Sequence, residues 1–163
     1  LSALGHQVEG YFGHGRFLVI YLLAGLWGSL ASYATSPEIS VGASGAIFGL
    51  AGATAIYFWR YHENFGDAGR SVLRNVMAVI AFNLVFGFTN PQIDNAGHLG
   101  GLIGGAIVAL GLLPTYQAPS TIQIGDQPLQ KTHRLPLELL WVAGHLVLLW
   151  VGVTFISQRL LTG

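Results

Sequence analysis

The sequence predicts an all-α fold, a polytopic membrane helix bundle of about five spanning helices. Three observations carry that prediction. Apolar residues make up 52% of the 163 and charged residues only 9%, against about 25% charge in soluble domains. The apolar residues gather in five stretches, each near the roughly 20 residues that a helix needs to cross hydrocarbon. Six of the seven lysines and arginines fall in alternate linkers, the asymmetry of a chain threaded back and forth through a bilayer.

The elements follow in order. The opening run Leu1-Ser2-Ala3-Leu4-Gly5 has no initiator methionine and no signal peptide, and reads as the inner end of a helix already in progress. The chain therefore reads as a fragment, in which any preceding segment descends from the outer side to end near His6 to Gly15. The apolar stretches then span residues 17–33, 43–59, 72–88, 96–113 and 137–156. Breakers and caps separate them at Ser36-Pro37, at residues 63–69, at Asn90-Pro91, and over a longer polar stretch at 114–136 that holds Gly125-Asp126 and Pro128. This divides the chain into a four-helix core within residues 1–113, a polar linker at 114–136 and an appended helix with a short tail at 137–163. With 23 glycines, the helices are expected to pack closely within the membrane plane, where small residues let backbones approach. No internal repeat and no strand-like alternation is visible.

Charge orients the spans. Arg16, Arg60, Arg70, Arg74, Lys131 and Arg134 all fall on one side of that threading, which the positive-inside rule makes the inner one; Arg159 alone opposes it. The linkers at 36–40 and 89–95 carry no lysine or arginine and lie outside. The runs Gly42-Ala43-Ser44-Gly45 and Ala96-Gly97-His98 thus both enter the membrane from the outer face. One further span between them would have separated Ser44 from His98 by a bilayer, roughly 30 Å.

A hydroxyl and an imidazole at matching depth suggest hydrolysis. Serine is a weak nucleophile until a base within hydrogen-bond reach takes its proton, which neutral histidine can do. Gly42 and Gly45 flank Ser44, allow a tight backbone entry and leave room for a substrate carbonyl, while the helix starting there aims N–H groups at developing negative charge. Gly101 and Gly105 recur with period four below His98, letting that helix sit close against a neighbour. Phe48, one turn beyond Ser44, is placed to stack on the imidazole. Taken singly, these signals have plainer readings. A serine between glycines is usually packing material, Gly101 and Gly105 are structural in either case, and GxSG alone is weak. His145 and Asn83 read as neutral, hydrogen-bonded packing groups, and Phe82, Phe86 and Phe88 as core or lipid-facing. His6, His14, His62 and His133 show no metal-ligand spacing. With no cysteine and a net charge of +0, neither a thiolate metal site nor a nucleic-acid partner is expected.

Together, the GxSG opening one helix, a short intervening helix, and then His98 followed by Gly101 and Gly105 resemble the rhomboid family of intramembrane serine proteases. The resemblance covers residues 1–113, including Gly5, Glu9 and the stretch 13–17, and the appended helix is similar to the extra carboxy-terminal span of rhomboids with six core helices plus one. It implies that Ser44 is the nucleophile and His98 the general base and later acid, without metal or cofactor. It implies transmembrane protein substrates, cleaved in or beside their spanning segments within the lipid bilayer. The loop charges place the opening of the site outward, and the short inner loops without organelle signals point to the cell membrane. Residues 89–95 would correspond to a cap over the site, residues 72–88 to a lateral gate, and Phe48 to the ring stacked on the histidine. The family's H-x-x-x-N oxyanion motif belongs upstream of Leu1, so this fragment is expected to be weak or inactive by itself. The alternatives are a rhomboid-like pseudoprotease or binding scaffold for transmembrane partners, and a small transporter, for which neither a repeat nor a continuous polar path is visible.

Overall fold

The computed structural model describes residues 2–36, 43–90, 92–117, 130–132 and 134–162. In chain order these form α1 (Ser2–Phe12), α2 (His14–Thr35), α3 (Ser44–Arg60), α4 (His62–Thr89), α5 (Asn95–Gly111), β1 (Thr115–Gln117), β2 (Gln130–Thr132) and α6 (Leu135–Thr162). The protein is an all-α membrane bundle. Helices α2, α4 and α6 are each long and apolar enough to cross a membrane. Helices α3 and α5 have 17 residues each, about 25 Å of helix, short of a hydrocarbon core about 30 Å thick. Both are packed against α2 and against each other.

Glycine ends α1. Gly13 has φ of 87°, a left-handed conformation that costs residues with a Cβ, and the chain turns there directly into α2. Val8, Phe12, Ile20, Leu23, Leu50, Tyr57 and Val108 then form one buried cluster drawn from α1, α2, α3 and α5.

Two expectations for the linkers need correction. Residues 63–69 do not separate two helices as an ordinary loop. Helix α4 starts at His62 and changes direction at Gly66, whose φ of 52° and ψ of −135° lie outside helical values. The chain bends at one glycine while the residues on both sides stay helical. The polar stretch after α5 also contains strand: β1 pairs antiparallel with β2, with Tyr116 opposite Lys131. Three-residue strands are too short to display alternation in sequence. Gly125-Asp126, Pro128, Pro37, Pro91 and His133 lie outside the described residues.

Helix α6 docks on α2 through polar groups spaced along its length. Arg16 donates to Glu138 twice, from Nε at 3.1 Å and from Nη2 at 2.5 Å. Trp27 Nε1 donates to His145 Nδ1 at 3.0 Å, and Tyr33 Oη meets Ser157 Oγ at 3.3 Å. Of the residues in α6, only His145 and Leu149 are buried.

Candidate active site

Three helices meet at the start of α3 with their backbones in contact. A Cβ added to Gly101 would lie 2.7 Å from Gly45 Cα, and one added to Gly105 would lie 2.7 Å from the Gly49 carbonyl carbon. A Cβ on Gly28 would lie 2.7 Å from the Gly97 carbonyl oxygen. No real side chain tolerates such distances, so glycine is required on both faces of this crossing. The contacts advance by one turn on both helices, from Gly45–Gly101 to Gly49–Gly105, so α3 and α5 run parallel. Ser44, the first residue of α3, and His98, the fourth of α5, are thereby brought to the same end of the bundle.

The imidazole of His98 lies flat on Phe48, ring centroids 4.3 Å apart and planes 11° from parallel. Since Phe48 stands one turn beyond Ser44 on α3, this stack ties the histidine ring to the helix that carries the serine. His98 Nδ1 is buried and has no hydrogen-bond partner among the described residues. Ser44, with Ser29, Ser32 and Asp94, also lines a cavity of about 20 Å³, room for about one water molecule.

The two helix starts are finished differently. Among the described residues, no side chain caps α3, and its first backbone bond runs from Ile47 N to the Ala43 carbonyl at 3.0 Å. The N–H groups of Ser44, Gly45 and Ala46 therefore precede the intrahelical ladder and point toward the site. The start of α5 is capped: Asp94 accepts from Gly97 N at 2.8 Å. Asp94 is the N-cap of α5. An aspartate immediately before an apolar helix is the sequence signal for that role.

Gly42 lies outside the described residues. His145 is 5% exposed, accepts from Trp27, and has Trp27 and Trp141 edge-on at 5.9 and 5.2 Å, which is a packing role and requires Nδ1 unprotonated. Asn83 donates to the Val79 carbonyl of its own helix at 2.8 Å. Phe82, Phe86 and Phe88 are all exposed on α4, and so are not core. Asn95, which sequence reasoning passed over, ties α5 to α4: its Nδ2 donates to the Leu84 carbonyl at 3.3 Å. That contact depends on where α4 lies and has no signature in the local sequence.

The family profile described as a rhomboid domain matches residues 1–115. The rhomboid protease GluP of Bacillus subtilis is 49% identical over 114 residues, which cover 69% of this chain and 22% of that protein. RHOMBOID-like protein 5 of Arabidopsis thaliana is 39% identical over 124 residues, covering 71% of this chain and 38% of that protein. RHOMBOID-like protein 2 of the same plant is 34% identical over 169 residues, covering 100% of this chain and 51% of that protein. The chain thus spans about a fifth to a half of the length of these relatives. No solved structure matches it at a significant level.

Proposed function

The chain belongs to the rhomboid family, and from that membership we propose that it carries the Ser44–His98 dyad of an intramembrane serine endopeptidase. Its substrates are transmembrane proteins, cleaved in or next to their spanning segments. The observation that carries this reading is the stack of His98 on Phe48, one turn from Ser44, across a glycine-lined crossing of two parallel helices.

The chemistry follows from the groups present. His98 takes the Ser44 hydroxyl proton as Oγ attacks the scissile carbonyl, giving a tetrahedral intermediate whose oxyanion is met by the N–H groups at the uncapped start of α3. The imidazolium returns its proton to the leaving amine, leaving an acyl-enzyme. Water, activated by His98 in turn, attacks the acyl carbon and releases the carboxylate product and free Ser44. Phe48 holds the ring that shuttles the proton, a role that costs nothing at the moment of reaction because the ring is already seated. The 163 residues contain no H-x-x-x-N pair, the motif that supplies side-chain oxyanion donors in the family. Loss of one such donor costs about 10²- to 10³-fold in rate, and this chain alone is expected to be correspondingly slow. The outward-facing site rests on the loop-charge asymmetry, and residence in the cell membrane on the short inner loops.

The test is cleavage of a transmembrane reporter in vesicles by the full-length protein and by its Ser44→Ala and His98→Ala variants. Cleavage by the parent and by neither variant supports the dyad. Cleavage that survives Ser44→Ala rules it out, and a folded parent that binds the reporter uncut supports the binding-scaffold alternative.

A further inference from the structure

Asn95 stands three residues before His98, on the same face of α5. Its carboxamide is in an unusual condition: Oδ1 is buried with no hydrogen-bond partner among the described residues, and Nδ2 has a single long bond, 3.3 Å, to the Leu84 carbonyl of α4. Opposite it sits Gly87, where an added Cβ would lie 2.7 Å from Asn95 Cγ, so the missing side chain on α4 is what leaves room for this carboxamide. Among the described residues, that one bond is also the only side-chain hydrogen bond that joins the part of α4 beyond its Gly66 bend to another element. The end of α4 beside it is loosely held, with Val85, Phe86 and Phe88 exposed and only Gly87 buried.

We propose that Asn95 contacts the substrate, its carboxamide pairing with a main-chain peptide unit flanking the bond that Ser44 attacks. This rests on the protease reading above. A substrate opened for attack is extended, and an extended chain at membrane depth exposes N–H and C=O groups that have no water to meet them. A carboxamide offers one donor and one acceptor side by side, the complement of a peptide unit. Displacement of α4 frees Nδ2 from Leu84 and uncovers Oδ1, so the substrate supplies the partner that the closed arrangement withholds.

The test measures kcat/KM of the full-length protein in vesicles, wild type against Asn95→Ala. The substrates are a transmembrane peptide and versions in which one backbone amide flanking the cleaved bond is replaced by an ester. Labelling of Ser44 by a fluorophosphonate, a probe without a peptide unit, is followed in parallel. The expected result is a roughly tenfold fall in kcat/KM while Ser44 still reacts with the probe, the size of one lost hydrogen bond. One ester position should cost the wild type about tenfold and cost the variant nothing further. Asn95→Asp, which keeps the size but loses the donor, serves the same comparison if the alanine variant folds poorly. Equal ester penalties in wild type and variant would overturn the proposal. So would a joint rise in labelling and cleavage, which would make Asn95 a fastener of α4 only, or their joint fall, which would make it structural. A folded wild type that never labels would instead overturn the protease reading, and this inference with it.

Discussion

The crossing of α3 with α5 and the seam between α2 and α6 join helices by opposite means. At the crossing, Gly45, Gly49, Gly101 and Gly105 bring backbones into contact with no side chain between them. Along the seam, Arg16–Glu138, Trp27–His145 and Tyr33–Ser157 fasten a helix in which only His145 and Leu149 are buried. Backbone contact leaves no rotamers to vary, so it fixes the positions of Ser44 and His98 tightly. Among the described residues, these three polar pairs join α6 to α2, with Leu149 buried between the second and the third.

The largest effect is expected at the seam. Glu138→Ala leaves Arg16, only 8% exposed at its side chain, as a buried charge without its partner, a loss of about 3–5 kcal/mol. Thermal unfolding in detergent should show a large drop, while the surviving folded fraction keeps the reactivity of Ser44. Gly101→Val is the converse. Overpacking against Gly45 costs about 1–3 kcal/mol, but the displaced α5 should carry His98 away, so fluorophosphonate labelling should fall far more than stability does. If the two variants affect labelling and unfolding in the same proportion, the division of labour between the interfaces is wrong.

Smaller changes sharpen the comparison. Trp27→Phe leaves His145 Nδ1 buried and unpaired, at a cost of about 1–3 kcal/mol, visible as a lower unfolding temperature with unchanged cleavage. Asp94→Ala removes the cap of α5 and should cost about 1 kcal/mol, with a modest loss of cleavage because the start of α5 bears His98. Ser157→Ala, at the weakest fastener, should change the unfolding free energy by less than about 0.5 kcal/mol.

Legibility in the sequence divides along the same line. The five apolar helices, the common end of Ser44 and His98, and the partners Phe48, Gly101 and Gly105 are all local signals, set by hydropathy, span parity and one-turn spacing. The fasteners of α6 are not. Arg16 and Glu138 are 122 residues apart and Trp27 and His145 118 apart, so only the folded chain shows which groups face each other. His145 was readable as a neutral packing group, but its tryptophan partner was not. The bend at Gly66 was hidden because a glycine can redirect a helix whose flanking residues remain helical on either side. Asn95 escaped notice because its meaning depends on a carbonyl of α4.

The measurement that bears most directly on the central claim is peptide mapping by mass spectrometry after the full-length protein is treated with a fluorophosphonate in detergent. A single adduct on Ser44, lost in Ser44→Ala and strongly reduced in His98→Ala, is the predicted result. A folded protein with no adduct on Ser44, or with an undiminished adduct when His98 is removed, would contradict the dyad.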